Sequence, residues 1–214
     1  MPKSFELANL LRDLEYIILG TEIHSFLFKV FPPREGLLIL EPGCGSGKFG
    51  LSYALKGCEV ILLDIDPEMV NYARRLRGAL NSFLGSPLAT QIRVGNIFRM
   101  PFADDHFDLV FNEGVSHHWP DEQKRQGSID QMARVSKDVV IVIGNNGANP
   151  HEVEKWESQE FGYKGMPPKA RFFTPEELED RLKKAGLKRI NVEGITPGRI
   201  EDSVLIAGYG RKGG

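Results

Sequence analysis

Cysteine is scarce in this chain: Cys44 and Cys58 are the only two, and they form no CxxC. That excludes a disulfide framework and a cysteine-built zinc site, and points to a reduced, intracellular protein. Long apolar runs are also missing. In MPKSFELANLLRDLEYIILG the apolar residues are interrupted by Glu6, Arg12, Asp13 and Glu15, so neither a signal segment nor a bilayer span is predicted, and the chain is expected in the cytoplasm. Charge of one sign is not in excess either. A formal net charge of -2 gives no global attraction for nucleic acid. No internal repeat is visible, and 214 residues with 41% hydrophobic and 26% charged content suit one globular domain with a substantial core.

Periodicity organises that domain. Leu7, Leu10, Leu11, Leu14, Ile17 and Ile18 follow helical spacing, as do Ile23, Phe26, Leu27, Val30 and Phe31, so two helices form an N-terminal cap over residues 1–35. From Leu37, short apolar runs alternate with helical segments: 37–40 then 48–56, 59–64 then 67–80, 90–94, 107–111 then 121–135, and 139–143. Strand and helix in alternation read as βαβ units on a parallel sheet, here a core over 36–145. Asp66-Pro67 and Thr174-Pro175-Glu176-Glu177 are helix starts, the second opening a helix over 176–184. Two closing strands, 188–192 and 203–207, are joined by a loop short enough for an antiparallel return. Between Ile143 and Phe173 periodicity is lost and aromatics accumulate, which predicts a loop or lid over 146–173.

The most informative stretch is LLILEPGCGSGKFG, from Leu37 to Gly50: a strand ending in an acid, then a glycine loop opening onto a helix. Three nucleotide-like ligands compete for it. The phosphate-binding GxxxxGK[ST] pattern fails twice, since Pro42 stands where its first Gly should be and Phe49 follows Lys48. A dinucleotide GxGxxG can be laid on Gly45, Gly47 and Gly50 with Asp64 at the ribose distance, but Glu41 would then face an anionic pyrophosphate. An acid before the loop suits a ligand that carries positive charge and no phosphate.

EPGCGSG, VILLDIDPEMV (60–70), VGNIFRMPFADDHFDLVF (94–111) and RFFTPEELEDRLKKAGLK follow one another in an order that resembles the class I, Rossmann-like S-adenosylmethionine-dependent methyltransferases. The resemblance implies a doubly wound, mostly parallel seven-stranded sheet with an antiparallel C-terminal strand and helices on both faces. It implies S-adenosylmethionine as cofactor, with S-adenosylhomocysteine as product. Gly43, Cys44, Gly45 and Gly47 would border its methionine part, with Glu41 near the amine directly or through water. Asp64 would accept from the ribose hydroxyls and Ile65 would pack on adenine. Asn96, where the family more often has Asp, would accept from the adenine amino group beside Ile97. Asn112 would touch the methionine moiety by backbone or side chain.

Methyl transfer is an in-line displacement needing no triad, and a base only where the acceptor must lose a proton. His118, in NEGVSHHWPD after the fourth strand, is the candidate base or acceptor-orienting group, with His117 and Glu113 adjacent. The same segment lacks the [ND]PP[YF] motif of amine and amide methylation, and no cysteine is placed for attack on cytosine. Aromatics at 156–173 and at Phe26, Phe28 and Phe31 could cap an apolar acceptor. Arg74, Arg75, Arg77, Arg181, Lys183 and Lys184 read as solvated helix faces, not a nucleic-acid footprint. A small organic molecule is therefore the expected acceptor. Methylation of RNA or protein, and a non-catalytic cofactor-binding subunit or sensor, are the alternatives. No metal is expected, and the oligomeric state is not encoded in any pattern seen.

Overall fold

The computed structural model describes residues 3–119, 121–157 and 172–213. Seven strands form one sheet: β1 (Leu38–Pro42), β2 (Glu59–Asp64), β3 (Thr90–Val94), β4 (Phe107–Glu113), β5 (Ser136–Asn145), β6 (Lys188–Gly194) and β7 (Leu205–Arg211), in the order β3-β2-β1-β4-β5-β7-β6. β7 is antiparallel to both of its neighbours, while β1, β2 and β3 pair in parallel, as do β4 and β5. This is the Rossmann-like sheet expected from the sequence. The chain divides into two compact units, Met1–Ile97 and Phe98–Gly214.

The first unit holds α1 (Lys3–Leu19), α2 (Glu22–Val30), α3 (Lys48–Ala54) and α4 (Pro67–Leu84) with β1 to β3. Residues 60–63 of β2 are all buried, as a strand covered on both faces should be. Thr21 starts α2 with a reciprocal box in which His24 takes the place of the usual Glu or Gln. Asp66 caps α4, with Pro67 in the first turn, and Gly85 ends it in the left-handed region. Tyr53 on α3 donates its hydroxyl to the Leu27 and Phe31 carbonyls, fastening α2, and Tyr72 on α4 donates to buried Asp13 on α1. Phe26 and Phe31 are core residues, and Phe28 packs edge-on against Tyr53. One reading needs correction: Arg74 and Arg77 are not simply solvated. They donate to the Ile92 and Thr90 carbonyls and pin α4 to β3.

The second unit holds β4 to β7 with α5 (Glu122–Val135), α6 (Pro150–Glu157) and α7 (Pro175–Lys184). Helix α6 was not expected. Its start is nonetheless written as Asn149-Pro150, with the Asn149 side chain accepting from the backbone of His151 and Glu152. A bridge between Asn146 and Phe173 closes the segment that contains it. Residues 158–171, including Phe161, Tyr163 and Met166 of the expected lid, lie outside the described residues, while Phe173 is fully buried core. β7 begins two residues later than expected and continues through Gly208 and Gly210. A Cβ on Gly208 would lie 2.6 Å from Leu178 and 2.8 Å from Leu182, so the bare backbone is what lets α7 settle on β7. Arg181 is likewise buried, paired with Glu122 and Glu177, and not a solvated cation.

Candidate functional site

In the first unit the glycine loop folds back over the end of β2. The backbone N–H groups of Gly43 and Cys44 both donate to the Leu63 carbonyl, at 2.7 and 2.9 Å. Gly45 N–H donates to Asp64 Oδ2 at 2.8 Å, and Asp66 N–H donates to Oδ1 at 2.9 Å. Gly50 N–H donates to buried Glu41 Oε2 at 2.9 Å, so this acid braces the first turn of α3 from below. Gly95 N–H donates to the Asp64 carbonyl, which brings the turn carrying Asn96 and Ile97 to the same strand end. Glu41, the loop, Asp64, Ile65, Asn96 and Ile97 thus gather at the carboxyl ends of β1 to β3, where open α/β sheets hold ligands.

The loop glycines do different work. Gly45 has φ +52 and nothing within 4 Å of where a Cβ would stand, so its backbone borders open space. Gly47 has φ +74, but a Cβ there would lie 2.7 Å from Leu62, and at Gly50 one would lie 2.4 Å from Leu62 and 2.7 Å from Glu41 Oε2. These two face the sheet, and their bareness lets α3 approach β2. Cys44 is buried, and its thiol is pushed far up by burial and by the Glu41 and Asp64 carboxylates, which leaves it unreactive. Ile65 is 68% exposed directly after Asp64, an apolar surface lying open beside a carboxylate.

In the second unit, Asn112 is fully buried, and its amide donates to Ser116 Oγ at 2.8 Å and to Met132 Sδ at 3.2 Å. Its Oδ1 is buried without a hydrogen-bond partner among the described residues. Ser116–His118 form a 3-10 turn. His117 is buried, 4.4 Å from the His118 ring, with its Nδ1 above Gly144, where a Cβ would lie only 2.8 Å away. Both imidazoles are held below the ordinary 6.5, chiefly by burial; His118 also feels the Gly114 backbone hydrogen bond, which opposes the shift. Both are therefore neutral at pH 7.

Sequence reasoning missed the residue that holds this turn. Arg125, buried on α5, donates to the carbonyls of Trp119 (2.7 Å), His117 (3.1 Å) and Phe172 (3.2 Å) and pairs with Glu177 at 2.8 Å. Its only sequence signal was a cation on an otherwise polar helix. Among the described residues no group of His, Cys, Asp or Glu could hold a metal ion, and no helix is long and apolar enough to cross a membrane.

A family model described as a methyltransferase domain matches residues 40–143, the span from the end of β1 to β5. This match, with the sheet order, supports a class I, Rossmann-like S-adenosylmethionine-dependent methyltransferase. A ubiquinone biosynthesis O-methyltransferase of Cereibacter sphaeroides is 27% identical over 173 residues, covering 76% of this chain and 65% of that protein. A malonyl-[acyl-carrier protein] O-methyltransferase of Pectobacterium atrosepticum is 27% identical over 111 residues, covering 52% of this chain and 39% of that protein. The chain thus spans less than two thirds of the length of these relatives. The crystal structure of magnesium protoporphyrin IX methyltransferase from Synechocystis, with bound S-adenosylhomocysteine, superposes with a TM-score of 0.67 at 18% identity, over 94% of this chain and 86% of that one. The family's cofactor is S-adenosylmethionine. The residues present fit it: open space at Gly45, carboxylates at Glu41 and Asp64 in place of phosphate-binding cations, and an exposed apolar side chain at Ile65.

Proposed function

We propose that this chain transfers a methyl group from S-adenosylmethionine to a small organic acceptor. The observation that carries the reading is the tie between Gly45 N–H and Asp64, which sets an open glycine loop against a strand-end carboxylate. Asp64 would hold the ribose through its remaining lone pairs, Ile65 the adenine face, Asn96 and Ile97 the adenine edge, and Gly43 to Gly47 the methionine part. Glu41, buried behind the loop, would contribute negative potential toward the cationic end. The bound cofactor supplies an electrophilic methyl on a sulfonium. Orientation then provides most of what the reaction needs, up to roughly 7–11 kcal/mol.

His118 would accept the acceptor's proton where one must leave, since a base has to be unprotonated and burial keeps this ring so at pH 7. Asn112 would touch the methionine moiety by backbone or side chain. A small acceptor is favoured over a nucleic acid because Arg77 and Arg181 are spent on contacts within the fold. The names of the relatives, in ubiquinone biosynthesis and as a magnesium protoporphyrin IX methyltransferase, agree with this. RNA remains the second reading, because a probable tRNA methyltransferase 9B of Bos taurus is 33% identical over 104 residues, 48% of this chain and 19% of that protein. A reduced, cytoplasmic setting suits two buried cysteine thiols that donate to the Gly45 and Arg34 carbonyls.

Incubation with methyl-labelled cofactor and a metabolite extract tests the reading. Label entering small molecules in repeated turnovers is the expected result. Label retained on RNA or protein would favour the second reading, and no transfer despite S-adenosylhomocysteine binding would mark a non-catalytic binder.

A further inference from the structure

The described residues carry an apolar surface that the cofactor site does not use. Leu7, Leu11, Ile18 and Leu19 on α1, with Phe83 and Leu84 at the end of α4, are 41–77% exposed. Ile18, Leu19, Phe83 and Leu84 line one open groove of about 460 Å³, so these side chains are not scattered singly. At those exposures the six present on the order of 700 Å² per protomer, more than a monomer ordinarily leaves in one patch and near the roughly 800 Å² per partner of a standard interface.

The spacing along α1 says what covers it. Asp13 and Ile17 are buried and bind α1 to its own unit. Leu7, Leu11, Leu14 and Ile18 lie on a neighbouring stripe that is exposed or half-buried, separated by four, three and four residues. That is the a/d repeat of a helix seam, and it reads the same in both directions. A second α1 laid antiparallel therefore meets it in register, Leu7 against the partner's Ile18 and Leu11 against the partner's Leu14. A two-fold axis between the helices puts the same flank of each against its mate. Exposed Glu15 stands on that flank, and one turn away stands Arg12, whose guanidinium lies 3.7 Å from buried Asp13 of its own helix but whose side chain is still 54% exposed, so each Arg12 can swing to the partner's Glu15. Apolar seam and flanking charges are thus both self-complementary on reversal.

We propose that the protein forms a two-fold symmetric dimer through antiparallel α1 helices, with Leu11 and Ile18 in the seam and Arg12 paired with Glu15 across it. The contact is isologous, so it closes at two copies and does not build fibres. A membrane surface is the poorer occupant, because α1 carries Glu6, Asp13 and Glu15 against Lys3 and Arg12.

Sedimentation equilibrium of the full chain at about 100 µM tests this, a concentration at which micromolar affinity leaves mostly dimer. Twice the chain mass is expected, falling to the single mass in Leu11→Glu/Ile18→Glu with the circular-dichroism spectrum unchanged. Glu15→Arg should weaken the dimer roughly tenfold, through two like-charge contacts, and Arg12→Glu/Glu15→Arg should restore it. Glu15→Arg lies at an exposed position, leaves the Arg12–Asp13 pair of the same helix in place, and carries the test by itself if the seam variant fails to fold. A wild-type monomer at that concentration, a dimer untouched by the seam variant, or a dimer indifferent to Glu15→Arg would each overturn the proposal.

Discussion

Gly45 donates its backbone N–H to Asp64 Oδ2 at 2.8 Å, so the glycine loop and the end of β2 share one carboxylate. Asp64 holds the loop's shape and, in the proposed site, would also face the ligand. Asp64→Ala should weaken S-adenosylhomocysteine binding about 10–100-fold, the loss of charge-assisted hydrogen bonds together with a looser loop. Isothermal calorimetry measures it, and unchanged affinity would remove Asp64 from the site.

Two glycine substitutions should separate cofactor space from core space. Gly45→Ala meets nothing in the fold and should cost only about 1–2 kcal/mol of backbone strain, while its methyl projects into the ligand's side of the loop. Gly50→Ala drives a Cβ into Leu62 and Glu41 and should lower stability by about 1–3 kcal/mol. Thermal unfolding with and without S-adenosylhomocysteine checks both: the first variant should lose ligand-induced stabilisation, the second intrinsic stability.

His118→Ala should reduce turnover about 100-fold or more if the ring takes a proton, and leave S-adenosylhomocysteine affinity near wild type. Burial places the His118 pKa below 6.5, so turnover should be level through neutral pH and fall only as pH drops through that lowered value. A pH profile with its acid limb above 6.5 would assign the base elsewhere.

His24 offers a stability test away from any ligand. Burial, with the nearby Lys48 charge, lowers it to about 4 from 6.5, so between those values the unfolded chain binds a proton that the folded chain refuses. Its neutral form therefore supports the fold fully above pH 6.5, and stability should drop by about 2 kcal/mol, allowing for solvent screening, as pH falls toward 4. His24→Gln keeps a capping-box side chain at this position without the titration and should flatten that part of the denaturation-against-pH curve.

Elements with strong local signals were readable residue for residue. β2 and β3 occupy the spans their apolar runs and turn residues mark, and Asp66-Pro67 opens α4 as expected. β7 departs from its expected span because glycine is a poor strand former, and only the close approach of Leu178 and Leu182 to Gly208, and of Leu187 and Ile190 to Gly210, explains these glycines inside it. Helix α6 escapes the pattern because it is short and weakly periodic, though Asn149-Pro150 carries the same start signal as Asp66-Pro67. At the candidate site, the loop and Asp64 follow from pattern. The inward turn of Asn112 and the placement of Arg125 do not, since both depend on partners distant in the chain, Met132 for the one and Phe172 and Glu177 for the other.

Arg125 reaches three carbonyls and a carboxylate with one planar head. A lysine, with a single point of attachment, could not replace it. The turn that carries His117 and His118 and the chain at Phe172 are therefore inherited as a pair: a substitution that reshapes one displaces the other, and any change of acceptor made through this turn must keep that arginine or rebuild both segments together.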